Sequence, residues 1–380
     1  MFEKAAMLFL YTETPLHAGS GTSIAAVDLP IQRERHTNYP MVQASGVKGT
    51  LRDALREKCK ISFDHLRELA ELRQILEDDL KKDQQKQQKK QELEKLILPW
   101  EMAFGPDHTR AQEHASALSF TDASLLLFPV RSLHGVFAWI TCPLVLDRFA
   151  RRLKYLPVSK SSARSDTDWS PQEPWDNLQT AAAVAEGSRV RHNGAVVLED
   201  FAFNVAKDSQ SQRVSRLEKR VSRLGKWLAK YALPSEGFHY HGSLLPESLV
   251  VLPDEAFRDF VTHSTEVIAR IRIDQEVGTV QEGALWDQEN LPSDCLLYTM
   301  PLAVNPRLEQ SLQNQSSPGN TLKNADHVLG LLANRLPKMI QLGGNETLGN
   351  GFVHTRLLSE VDRVQPNHAK QAERQRHNHP

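Results

Sequence analysis

The chain has 380 residues, with 46 Lys and Arg against 47 Asp and Glu and a formal net charge of −1. This balance excludes a uniformly basic nucleic-acid binder, so any RNA surface has to come from local clustering. The length is enough for one large domain or two, and three widely spaced cysteines (Cys59, Cys142 and Cys295) exclude a disulfide framework and fit a reducing cytoplasm.

The opening Met1-Phe2-Glu3-Lys4 lacks the basic start of a signal peptide, and no apolar run approaches the roughly 20 residues that span a bilayer. A soluble, cytoplasmic protein with no membrane partner is expected. Residues 5–10 are continuously apolar and predict a buried strand. The strand runs into Thr14-Pro15-Leu16-His17-Ala18-Gly19-Ser20-Gly21, a turn-forming loop that continues to Asp28-Leu29-Pro30-Ile31-Gln32-Arg33-Glu34. His17 and Asp28 are the side chains here able to handle protons or a metal. A turn-forming Asp and a surface His are the competing structural readings.

Residues 47–58 predict a helix with Ser45 as N-cap, and Gly46 and Gly49 permit close backbone approach. Lys48, Arg52 and Arg56 are four apart and line one face. Free amides at the helix start would seat a phosphate; a solvated face paired with Asp53 and Glu57 is the alternative. Residues 64–98 read as a helical insertion, with leucines at helical spacing around a Lys/Gln tract at 81–91. It predicts a projecting arm outside the core. Residues 100–107 read as a turn-rich bridge.

Two strands are predicted at 117–128 and 136–142, then a helix at 144–153 with Pro143 at its start. Strand, helix, strand, strand, helix is the beginning of a ferredoxin-like order, which in its RNA-recognition form offers a sheet face to nucleic acid. Residues 159–179 read as a loop and 195–205 as one or two short strands. Residues 210–231 predict an amphipathic helix. Its polar face carries Arg213, Arg216, Lys219, Arg220, Arg223, Lys226 and Lys230 against Glu218, which favours an anionic partner.

Strands are expected at 248–252 and 267–273 around a helix at 254–261, then a protruding hairpin at 274–292 broken by Gly278 and Gly283. Leu285 and Trp286 on it would wedge between bases or pack in the core. A strand at 296–304 and a helix at 321–336 follow. Gly343, Gly344, Gly349 and Gly351 form a cluster suited to close backbone approach to a ligand, or an ordinary turn. It matches neither a Walker loop nor GxGxxG. A last strand at 352–358 would close the sheet, and 366–380 reads as a flexible tail.

Several blocks carry a joint resemblance. They are the Thr14–Gly21 loop with Asp28-Leu29-Pro30-Ile31-Gln32-Arg33-Glu34, Val47-Lys48-Gly49-Thr50-Leu51-Arg52, Phe120-Thr121-Asp122-Ala123, Phe128-Pro129-Val130-Arg131-Ser132-Leu133-His134-Gly135, and Gly343-Gly344-Asn345-Glu346-Thr347-Leu348-Gly349-Asn350-Gly351-Phe352. Together they resemble the RAMP superfamily of CRISPR proteins, and most closely the backbone ribonuclease subunits of type III-B (Cmr-type) effector complexes.

The resemblance implies an α+β fold: one RAMP domain over 1–365 with a ferredoxin-like core, an inserted helical arm (about 60–99), a loop (155–193) and a thumb-like β-hairpin (274–292). It also implies copies stacked along a guide crRNA, other CRISPR effector subunits as partners, and cleavage of the paired target RNA at regular intervals. Asp28 falls where the family has its catalytic acid, acting with a divalent metal, Mg²⁺ or Mn²⁺. RNA contacts are implied for His17, Ser45, Lys48, Arg52, Trp286, Gly343, Gly344, Gly349 and Gly351. The family's Gly-Ser-Ser before the Lys-Gly step is Ala44-Ser45-Gly46 here, so the capping hydroxyl and the flexibility persist. A lone carboxylate implies a slow nuclease in which the RNA 2′-OH is the nucleophile. The alternative is a non-cutting structural backbone subunit.

Overall fold

The computed structural model describes residues 2–22, 27–75, 79–80, 83–112, 114–157, 175, 178, 180–206, 211–274, 276–307 and 322–360. The tail and most of the 159–179 loop predicted from sequence lie outside these residues. Along the chain we label the strands and helices that frame the site. They begin β1 (Met7–Thr12), β2 (Met41–Val42), α1 (Ala44–Lys58), α2 (Phe63–Gln74), α3 (Gln84–Phe104), β3 (Ala123–Arg131), β4 (Phe137–Thr141), α4 (Pro143–Leu153) and β5 (Ala183–Val184). They continue α5 (Ser211–Tyr231), α6 (His239–Ser248), β6 (Leu249–Val251), α7 (Asp254–His263), β7 (Glu266–Ile273), β8 (Val280–Asn290), β9 (Leu296–Thr299), α8 (Ala325–Arg335), β10 (Met339–Gln341) and β11 (Phe352–Leu358).

The main sheet runs β10-β11-β1-β9-β3-β4-β6-β5, with β2 added to β3. Pairs β11–β1, β1–β9 and β9–β3 are antiparallel, and β4–β6 is parallel. All six residues of β1 are buried, as a central strand covered on both faces requires. On one face Phe9 meets the rings of Phe149 from α4 at 6.0 Å and Trp227 from α5 at 6.4 Å. Such tilted and edge contacts suit aromatic quadrupoles and anchor both helices to β1.

The structure corrects the predicted order. β4 does not return to β1; β9, from much later in the chain, fills the place between β1 and β3. Strand β11 is not the closing edge, because β10 lies outside it. The 117–128 strand is broken into Leu118–Phe120 and β3. The predicted bridge at 100–107 begins as helix, since α3 runs through Pro99 to Phe104.

The insertion is more than a projecting arm. Leu69, Leu72, Leu93, Ile97, Trp100 and Phe104 are buried in the central core. A helix whose first half is polar can still bury its second half, where Leu93, Ile97 and Trp100 fall at i, i+4, i+7.

Strands β7 and β8 pair with each other in a two-stranded antiparallel hairpin off the main sheet, here called the thumb. It begins at Glu266, so the strand predicted separately at 267–273 is its first half. Its tip turn is closed by Asp274, whose Oδ1 accepts the backbone N–H of Glu276 at 2.8 Å and of Val277 at 3.1 Å, with Gly278 at φ +72°. Among the described residues no helix is long and apolar enough to cross a membrane.

Candidate active site

The loop after β1 is stitched to the root of the thumb by main-chain bonds. Leu16 and Leu291 exchange N–H···O bonds of 2.8 and 2.9 Å. Further along, the Leu29 N–H donates to the Asp287 carbonyl and the Glu289 N–H to the Leu29 carbonyl, both at 3.0 Å. Between these ties the loop folds on itself, Gly19 bridging to Ile31. Gly21, at φ +99°, takes up a backbone conformation in this loop that a bulky residue would strain.

Glu289, 5% exposed, is the central tie. Its Oε2 accepts the Ile31 N–H at 3.0 Å, while Oε1 receives the Thr265 hydroxyl at 2.8 Å and the Arg33 guanidinium. Arg33 also donates to the carbonyls of Asn38 at 2.8 Å and Val261 at 2.9 Å. The Gln-Arg-Glu part of the loop is therefore structural: it clamps the loop to α7 and the thumb.

Asp28 is exposed at the foot of the thumb. One oxygen, Oδ2, accepts the backbone N–H of Asp287 at 2.9 Å; Oδ1 makes no bond among the described residues. The carboxylate is thus oriented and keeps one oxygen open. Trp286, half-buried, is next along β8, opposite Arg270, and Leu285 beyond it is 67% exposed.

His17 is held from the same strand. Its Nδ1 lies 2.7 Å from the Glu289 carbonyl, which can only accept, so Nδ1 carries the proton and Nε2 presents the other edge of the ring. The glycine cluster packs against this residue. Gly344 N–H donates to the His17 carbonyl at 2.9 Å, and a Cβ on Gly343 (φ +79°) would lie 2.2 Å from that oxygen. A Cβ on Gly351 (φ +78°) would lie 2.0 Å from the Leu342 carbonyl. Only glycine fits these two positions. Gly349, at φ +81°, faces open space.

Sequence reasoning missed the polar seam between cluster and thumb: the Asn345 amide donates to Gln288 at 3.0 Å, and Gln288 to Asn290 at 2.8 Å. Alternation along β8 is the one local signal, since it turns successive polar residues toward different neighbours.

On α1 the expected basic stripe has partners of its own. Helix α1 starts at Ala44, with Gln43 in the N-cap position; Ser45 is exposed within the first turn and caps nothing. The cap is supplied from outside, by Asp122 Oδ1 accepting the Ala44 N–H at 2.8 Å. Lys48 is half-buried and donates to Ser116 Oγ at 2.8 Å; burial, then the neighbouring Arg52, lowers its pKa from 10.5. The Arg52 guanidinium lies 4.8 Å from the centre of the Trp100 ring. Arg56 is 8% exposed and donates to the Ile61 carbonyl at 2.9 Å. Lys48 and Arg52 thus each have a partner within the chain, Arg52 through the face of its guanidinium.

The model of the RAMP superfamily matches residues 9–354, from β1 to β11. The chain belongs to the RAMP superfamily. Within it the chain belongs with the Cmr4 proteins. It is 35% identical over 367 residues to the CRISPR system Cmr endoribonuclease Cmr4 of Pyrococcus furiosus, covering 97% of this chain and 100% of that one. The crystal structure of oligomeric Cmr4 from Pyrococcus furiosus superposes with a TM-score of 0.57 at 27% identity, over 93% of this chain and 98% of that chain. A chain of the type III-B Cmr-beta complex bound to cognate target RNA shares the fold at a TM-score of 0.54 and 20% identity, over 94% and 98% of the two chains. In this RAMP chain, loop, thumb root and glycine cluster come from three distant segments and meet around His17 and Asp28.

Proposed function

We propose that this RAMP chain is the guide-RNA-binding backbone subunit of a type III-B CRISPR effector complex in the cytoplasm, and that it cleaves guide-paired target RNA. The observation that carries the reading is Asp28: an exposed carboxylate fixed by one main-chain N–H at the foot of a projecting hairpin. The likeness to an endoribonuclease over nearly the whole chain supports the activity, and the likeness to an oligomeric Cmr4 supports stacking of copies. We read β1, α1, β3, β9, α8 and β11 as a ferredoxin-like core. Their sheet order, fourth-first-third-second with antiparallel neighbours, is the one that fold requires.

In this reading the guide strand lies over the loop and glycine cluster, with Gly343 and Gly351 keeping the backbone low and Gly344, Gly349 and Ser45 at its border. The thumb crosses the guide–target duplex, and Leu285 and Trp286 unstack a base there. A displaced nucleotide swings its 2′-OH into line with the adjacent phosphate, so orientation supplies much of the rate. His17, its Nδ1 tied to Glu289, offers Nε2 to the RNA.

Among the described residues no group of three or more His, Cys, Asp or Glu could hold a metal ion. A lone open carboxylate fits a hydrated Mg²⁺ or Mn²⁺ that takes its remaining ligands from RNA phosphate and water. Such an ion, when bound, would stabilise charge developing on the phosphate. Asp28 would orient it through Oδ1, while Oδ2 stays on the Asp287 amide.

The test is Asp28→Ala assembled on a guide RNA with its partner subunits. Complexes should form with normal size and RNA content, and cleavage of complementary RNA should fall by about 10²-fold or more. Cleavage at the parent rate would instead assign the chain a purely structural role.

A further inference from the structure

Helix α5 carries a row of cations that the thumb-root site does not use. Arg216, Lys219, Arg223, Lys226 and Lys230 follow one another at three- or four-residue steps and share one face. At 1.5 Å per residue the row is about 21 Å long. Arg223 is half-buried and the other four are exposed. Among the described side chains, two further charges of the helix are set apart from the row. Arg220 is 3% exposed, its guanidinium 3.7 Å from the centre of the Trp175 ring, and Glu218 is paired with Arg191 at 2.8 Å.

At its end the row enters a cleft between α5 and α6. The helices touch at Gly225, where a Cβ would lie 2.6 Å from Pro246 Cα. Toward the connecting loop they part, and a Cβ on Gly242 would meet nothing within 4 Å. The space is about 530 Å³, lined by Lys226, Lys230, Leu233, Phe238, His239 and Gly242 among others. Glu236, on the same connection, is held by Lys338 at 2.6 Å, and that bond lowers its pKa. Tyr240, one position on from His239, is 67% exposed.

We propose that this row and cleft bind a single-stranded segment of RNA, with phosphates along α5 and one base seated against Phe238. The chemistry matches: cations spaced along a track, and an aromatic ring with apolar walls at its end, large enough for a nucleobase. A flat acidic protein surface would satisfy the cations and leave the cleft unfilled. This site does not depend on Asp28.

The experiment uses the full chain and a short oligouridine carrying a photoreactive thiouridine. Cross-links should map to residues 226–243, and they should persist in Asp28→Ala, which separates this site from the ribonuclease reading. Gly242→Leu fills the cleft without altering charge. It should weaken binding roughly 5-fold or more at unchanged salt slope, with the melting temperature retained. Lys226→Ala should lower the slope of log affinity against log salt by about 0.7, the loss of one single-strand phosphate contact. Absence of cross-links in 226–243, or parent affinity in both variants, would overturn the proposal. So would unchanged RNA affinity in variants that lose binding to polyglutamate, which would assign the row to an acidic protein.

Discussion

The loop after β1 and helix α1 lie within fifty residues of each other, and both carry polar side chains at spacings suited to RNA. In the loop, His17 and Asp28 are each held by a single bond to the β8 main chain and keep one edge open. On α1, Lys48, Arg52 and Arg56 bond to or stack on the 59–116 segment and are half-buried or buried. A functional side chain is recognised by what it leaves free. Spacing alone cannot report that, because the covering element comes from elsewhere in the chain.

The contrast can be broken most severely at Glu289, where the loop is clamped. Glu289→Ala leaves the half-buried Arg33 without its carboxylate and the Ile31 N–H without its acceptor, and should cost about 3 kcal/mol, read by denaturant unfolding. His17 and Asp28 would lose their fixed geometry with it. An unfolding midpoint equal to the parent's would show that the clamp is not what holds the loop.

A smaller effect is expected within the glycine cluster, and it sharpens the contrast between packed and open backbone. Gly343→Ala combines a positive φ with a collision against the His17 carbonyl, and should cost more than the roughly 1–3 kcal/mol of strain alone. Gly349→Ala has the strain without the collision and should stay near the lower end of that range. Paired melting curves and guide-RNA affinities would check the order, and equal losses at both positions would refute it.

The smallest effect is at Lys48. Its folded pKa is lowered below 10.5, by burial and then by Arg52, so the charged form is disfavoured in the native state. The parent should therefore gain stability as pH rises from that lowered value toward 10.5. Lys48→Met should remove this slope, leave stability at neutral pH within about 1 kcal/mol, and leave guide-RNA affinity unchanged. A severalfold drop in affinity would restore Lys48 as a phosphate ligand.

Much of the fold was legible locally. The apolar run at β1, Pro143 opening α4, the leucine-rich stripe of α5 and the Asp274–Gly278 turn each state their structure in a few adjacent residues. Misreadings arose where partners are distant. The polar start of α3 suggested a solvated arm, yet its second half carries Trp100 and Phe104 into the core. Ser45 looked like a cap beside its helix, and Asp122 supplies that bond instead.

Local sequence determined which segments are strands, helices and turns, because backbone propensity and hydrophobic period act over a few residues. It also marked the loop and the glycines that the site uses. Tertiary structure alone decided that β9 separates β1 from β3, that Asp28 stands at the thumb root, and which partners the α1 cations meet. Those outcomes depend on contacts between residues far apart in the chain, 48 positions for Trp100 with Arg52 and 259 for Asp287 with Asp28, whose partners no local pattern can name.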